Sequence, residues 1–174
     1  SNSRVFGHFR MTWWDHAEPR AVDWLSGAAL VFTKKAWDAV GPLDERYFVI
    51  AAELDWQKRL ARKGMERWYL PSAQITHCPE RSRVGSATDD VIALHEAAFR
   101  YFRKHHGLLS ALALRMLALA TALPRAAWSA FRAAVASERH EWWSRARINL
   151  ALAATALWPR PKAAPGRQAR AHGS

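Results

Sequence analysis

The hydrophobic pattern of this chain changes period once, near Val91. Upstream, apolar residues come in short runs divided by turn formers; downstream they recur at helical spacing as far as Trp158. Val22–Leu25 predicts a short extended piece. Ala28–Thr33 (AALVFT) predicts a buried strand, being short, apolar and β-preferring. Lys34–Val40 predicts two helical turns with Ala36, Trp37 and Val40 on one side, stopped by Gly41 and Pro42. Leu43–Ile50 predicts a turn and an extended segment. Ala52–Lys63 predicts a helix with Glu53 and Asp55 in its first turn, bases in its last turns, and Gly64 as its cap. Glu66–Leu70 and Ala73–Thr76 predict two short strands around Pro71–Ser72. Cys78–Asp90 has the composition of a flexible loop.

From Val91 onward the expectation is helix. Val91–His106 places Val91, Leu94, Ala98 and Phe102 on one stripe and ends at Gly107. Leu108–Leu123 is apolar nearly all round, with Arg115 as its one charge, and Pro124 is expected to kink or end it. Arg125–Ala136 and Glu141–Trp158 predict further Ala-rich helices. From Pro159 the residues are Pro, Ala, Gly, Arg and Lys, which predicts a disordered basic tail over 159–174. The expected organisation is an irregular lead-in over 1–21, a small α/β part over 22–90 and a helical, membrane-associating region over 91–158. No internal repeat is visible.

Composition sharpens this picture in two places. With 50% hydrophobic residues the chain is not of disordered type, and its 10 Trp call for a core or an interface. Charge is unevenly distributed. Of 26 Lys+Arg and 15 Asp+Glu, residues 100–174 hold 13 basic residues against only Glu138 and Glu141, which accounts for the whole net +11. Such a basic region favours anionic partners, phospholipid surfaces or nucleic acid. Leu108–Leu123 is 16 residues, short of the roughly 20 that cross a bilayer. The expectation is therefore peripheral attachment through interfacial helices carrying Arg among Trp and Leu, with a buried helical hairpin as the other reading. A lone Cys78 excludes an internal disulfide and a multi-cysteine metal site. The opening residues lack the apolar core of a signal peptide and an initiating Met, which suggests a truncated or processed start.

Several chemistries are poorly supported. There is no Gly-rich phosphate loop of P-loop or dinucleotide type, no Gly-x-Ser-x-Gly elbow and no His-Glu-x-x-His. No nucleic-acid-binding motif accompanies the basic residues, so nucleic acid is not an expected partner. Glu53 and Asp55 are two apart and cannot share a helix face. They serve the helix dipole, or one of them acts as a general base at a helix start facing a cleft. His77 stands where a strand hands over to a loop, a common place for functional groups. Arg81 and Arg83 follow in that loop, as a solvated basic stretch or as a phosphate clamp.

Taken in order, these pieces resemble the C-terminal part of a family 2 glycosyltransferase, in its bacterial rhamnosyltransferase-like branch. The matching residues are Val22-Asp23-Trp24-Leu25-Ser26-Gly27-Ala28, Val40-Gly41-Pro42-Leu43-Asp44-Glu45-Arg46-Tyr47-Phe48, Ala52-Glu53-Leu54-Asp55, Tyr69-Leu70-Pro71 and Thr76-His77. Tyr101 to Gly107 resembles the helix that follows, and the likeness covers about residues 20–107. It implies the acceptor-side half of a GT-A fold: an α/β part of few short strands with helices, continued here by an extended helical tail. It implies transfer from a nucleotide sugar with inversion, using a base for the acceptor hydroxyl and a divalent metal, Mg or Mn, at the leaving diphosphate.

The resemblance also assigns residues. Glu53 stands at the family's base position, where an Asp is usual, and Ala52 replaces the preceding Glu. Asp55 matches the next acid, His77 matches a metal ligand of some relatives, and Trp24, Ser26 and Gly27 match the acceptor loop. Arg81 and Arg83 are candidates for diphosphate contact. The family's Asp-x-Asp motif and its donor-side strands have no counterpart here, so no cofactor is certain for this chain. The expected function is a C-terminal fragment of a transferase acting on a lipid-linked or cell-envelope glycan at the cytoplasmic face of a bacterial inner membrane, inactive without its other half. The rival is a non-catalytic membrane-surface or scaffolding protein that keeps a decayed transferase fold.

Overall fold

The structure, a computed structural model, describes residues 11, 13–47, 51–76 and 87–157. They fall into two compact units, one drawn from Ser1–Asp44 and Glu53–Pro79, the other from Glu45–Ala52 and Glu80–Ser174.

The first unit is built on two helices and one small ribbon. α1 (Lys34–Val40) starts where Thr33 Oγ1 accepts from the Ala36 N–H at 3.1 Å, an N-cap of the usual type. It stops at Gly41, whose φ of 73° costs no side-chain strain and whose N–H reaches Trp37 O at 2.8 Å. α2 (Ala52–Arg62) ends in a Schellman turn. The Gly64 N–H bonds Ala61 O at 3.0 Å and the Met65 N–H bonds Leu60 O at 3.1 Å. β1 (Arg20–Ala21) and β2 (Trp68–Tyr69) pair antiparallel, Arg20 opposite Tyr69 and Ala21 opposite Trp68. The Arg67 guanidinium closes the ribbon by donating to Asp23 O and Met65 O at 2.9–3.2 Å.

α2 is the element on which this unit is assembled. Trp56 and Leu60 are buried, and the Trp56 ring lies against Phe32 (centroids 5.0 Å) and Trp37 (6.4 Å). Its indole N–H donates to Gly41 O at 2.8 Å, so the large aromatic body is buried with its polar atom satisfied. Asp55, with no exposed surface, pairs with Arg59 at 3.0 Å. Arg59 in turn donates to Pro42 O at 2.7 Å and to Val40 O. One guanidinium thus fastens the end of α1 to the side of α2. Gln57, also buried, turns the other way: its Nε2 donates to Leu25 O and its Oε1 accepts from the Leu25 N–H, both at 2.7 Å.

Several expected elements differ. Ala28–Thr33 is not a buried strand; Val31 is fully exposed and only the Phe32 ring finds packing. A fully buried strand needs a neighbour on each side, and the described sheet consists of β1 and β2 alone. Glu66–Leu70 shortens to Trp68–Tyr69, Ala73–Thr76 is irregular, and the first strand begins at Arg20 within the expected lead-in. The extended part assigned to 48–50, most of the loop at 78–90, Trp158 and the tail lie outside the described residues.

The second unit is helical, with α3 (Ala87–Val135) and α4 (Arg139–Leu157) packed on each other across the short connection 136–138. α3 starts inside the segment expected to be a loop, because Asp89 and Asp90 suit a helix N-terminus as well as a turn. The break falls at Gly107 (φ 87°), where glycine makes the conformation inexpensive. Pro124, expected to kink or end the helix, lies within it; the Ala- and Leu-rich flanks carry the helix past one missing N–H. The two helices meet through small residues, Ala122, Ala126, Ser129 and Ala133 facing inward from α3 and Ala146 and Ala153 from α4.

The Gln57 contact gives a first prediction. Gln57→Ala strips both Leu25 backbone groups of their partner and should cost about 2–3 kcal/mol. Urea unfolding should show a lower midpoint with an unchanged slope, and hydrogen exchange should show the Leu25 amide losing protection first.

Candidate functional site

The helical repeat sorts the residues of α2 by direction. Glu53 and Gln57 are four apart and lie on one face; Asp55 and Arg59, also four apart, lie on another. Gln57 holds the backbone at Leu25, and one turn nearer the helix start Glu53 meets the next piece of the same loop. A Cβ placed on Gly27 would stand 3.2 Å from both Cγ and Cδ of Glu53. The loop Trp24–Gly27 is therefore laid across the first turn of α2, with glycine where the acidic side chain passes. Ser26 is exposed and its Oγ accepts a long bond from the Ala28 N–H at 3.4 Å. Trp24 is half-buried.

Of the residues singled out by sequence, the structure brings Glu53 together with Gly27. Asp55 is placed differently. Its carboxylate is wholly buried against Arg59, and a group without exposed surface has no path to a ligand in a cleft. Its geometry is that of an anchor for the Val40–Pro42 turn. His77, Arg81 and Arg83 lie outside the described residues. Among the described residues, no group of three His, Cys, Asp or Glu is gathered to hold a metal ion.

Two side chains that matter here were not singled out from the sequence. Gln57 and Arg59 sit in a helix rich in polar residues, and nothing in the pattern separates them from solvated neighbours such as Lys58. The one available signal was their i, i+4 spacing from Glu53 and Asp55. The backbone adds a further feature. Ala51, immediately before α2, has φ 68°, in the left-handed region that an alanine adopts at a cost of about 1 kcal/mol or more. Strain of this kind gathers at functional sites, and here it stands two residues from the candidate base.

The two acids should separate in a stability experiment. Asp55→Ala leaves a mostly buried Arg59 charge without its carboxylate, with only the Val40 and Pro42 carbonyls as acceptors, and should cost about 3 kcal/mol. Glu53→Gln should stay within about 0.5 kcal/mol of the parent. Ala51→Gly should raise stability by about 1 kcal/mol by relieving the positive φ. Thermal and urea unfolding of the three variants check all three values together.

No family model matches the chain. No solved structure matches it. Among curated proteins, the N-acetylglucosaminyl-diphospho-decaprenol L-rhamnosyltransferase of Mycobacterium tuberculosis is 32% identical over 87 residues, in strains CDC 1551 / Oshkosh and ATCC 25618 / H37Rv alike. The match takes in 50% of this chain and spans only 28% of the relative's length. Half of the chain is thus related to part of a glycosyltransferase.

Proposed function

We propose that this chain carries the acceptor side of a family 2, GT-A-type inverting glycosyltransferase, with Glu53 as the general base. The observation that carries the reading is the contact of Glu53 with Gly27, which sets a carboxylate at a helix start directly against a loop that resembles an acceptor-binding loop. In this reading the Glu53 carboxylate takes the proton from an acceptor hydroxyl. That oxygen bonds to the anomeric carbon of a nucleotide sugar, and the sugar's bond to the diphosphate breaks on the opposite face, the electron pair leaving with the nucleoside diphosphate. Configuration inverts because attack and departure are on opposite sides.

Each neighbour then has a task. Gln57 fixes the loop, Asp55 and Arg59 fix the helix, and Trp24 and Ser26 line the acceptor. Likeness to an N-acetylglucosaminyl-diphospho-decaprenol L-rhamnosyltransferase supports a lipid-linked acceptor and suggests rhamnose as the sugar. In this reading the reaction, fed by a nucleotide sugar, takes place at the cytoplasmic face of a bacterial inner membrane. Donor binding and any Mg or Mn belong to residues other than those described, with His77, Arg81 and Arg83 as the candidates of this chain.

The test uses the chain joined to a donor-binding half in an active enzyme. Glu53→Gln should reduce transfer by about 10²–10⁴-fold with folding intact. Retained activity in Glu53→Gln, with loss in a folded Asp55→Asn, would move the base to Asp55. Titrated alone with uridine and thymidine diphosphate sugars and manganese, the chain should show no micromolar binding. Tight metal-dependent binding would place the donor site within these residues and remove the acceptor-side reading.

A further inference from the structure

In a water-soluble helix pair the large apolar residues face inward. The α3–α4 pair is built the other way. From Leu108 onward its buried residues are alanines, Ser129 and Thr155, the large Ile92 and Phe99 being buried only nearer the start of α3, while Leu109 is 83%, Met116 64%, Trp128 57% and Phe131 57% exposed. On α4, Trp143, Leu150 and Leu157 recur every seven residues and are all exposed. Small residues between helices and large apolar residues outside is the arrangement expected where lipid, not water, is the surrounding solvent. Thr88–Val135 is long and apolar enough to cross a membrane, beyond the 16-residue run read from the sequence, yet little of its most apolar stretch is buried. The core helix of a soluble protein of that hydropathy would be mostly buried.

The charges say which surface covers this face. The region from Arg100 onward carries 13 basic residues against Glu138 and Glu141. Near the connection between the helices, Arg132 and Arg145 both lie on the Trp142 ring, at 5.0 and 4.7 Å. Arg125, Arg139 and Arg147 accompany them. Arg115, midway along the apolar run, has its guanidinium 5.4 Å from the Phe99 ring. Cations spread along the pair, rather than confined to its ends, favour helices lying in the plane of a membrane with their heads reaching phosphates.

We propose that the α3–α4 pair docks on an anionic phospholipid bilayer, its exposed Leu, Met and Trp side chains entering the acyl boundary and its arginines engaging the headgroups. This stands independently of the transferase reading. The test is flotation of the full chain with vesicles of phosphatidylcholine and phosphatidylglycerol, with brominated acyl chains to quench tryptophan. The variant is Leu109→Glu with Met116→Glu; both sites are exposed, and retained helicity by circular dichroism shows that it folds. Ile75→Glu, exposed in the other unit, is the control.

The parent and Ile75→Glu should float and be quenched, less so on pure phosphatidylcholine or in high salt. The double variant should lose bound fraction by about tenfold. The proposal fails if the parent stays at the bottom of the gradient. It fails if the double variant floats as well as the parent. It fails too if the lipid-free chain is a stable dimer that the double variant dissociates, which assigns the face to a second copy.

Discussion

The pairing of the Gln57 amide with both backbone groups of Leu25 is the contact on which the candidate site depends. A side-chain amide offers one donor and one acceptor side by side, which is what a neighbouring strand would offer. The segment at Leu25 has no such strand among the described residues, and Gln57 takes its place from the side of a helix. Because Glu53 lies one turn away on the same face, fixing Leu25 also fixes where Gly27 meets the acid. Position and chemistry are thus set by one helix repeat.

The opposite face of α2 does separate work. A buried carboxylate is tolerated only when paired and hydrogen-bonded, and Asp55 meets that condition through Arg59. Arg59 spends its remaining donors on the carbonyls of Val40 and Pro42, which otherwise end α1 without partners from the helix. Two acids two residues apart are therefore given different duties by geometry alone. Glu53 is half-buried beside Gly27, and Asp55 is enclosed with Arg59.

The two units also solve burial differently. The first gathers aromatic rings around Trp56, where large apolar area and one satisfied indole N–H suffice for a small core. The second brings two long helices together over alanines, which permits close backbones but buries little apolar surface per residue. Most of its large apolar side chains from Leu108 onward are left outside, while Ile92 and Phe99 nearer the start of α3 are buried.

The sequence by itself determined the elements whose signals are local. Gly41 and Gly64 after the helices and Gly107 at the break in α3 act through their own backbone preferences, and each stands where its residue type predicts. It also marked Glu53 and the Trp24–Gly27 loop as worth attention, through residue order. It could not determine whether Ala28–Thr33 would be a strand, because a strand exists only with a partner and partners are distant in sequence. Nor could it separate Glu53 from Asp55, or raise Gln57 and Arg59 above their polar neighbours. Those distinctions rest on which side of α2 meets Leu25 and which meets Val40, contacts 32 and 19 residues apart that only the folded chain brings together.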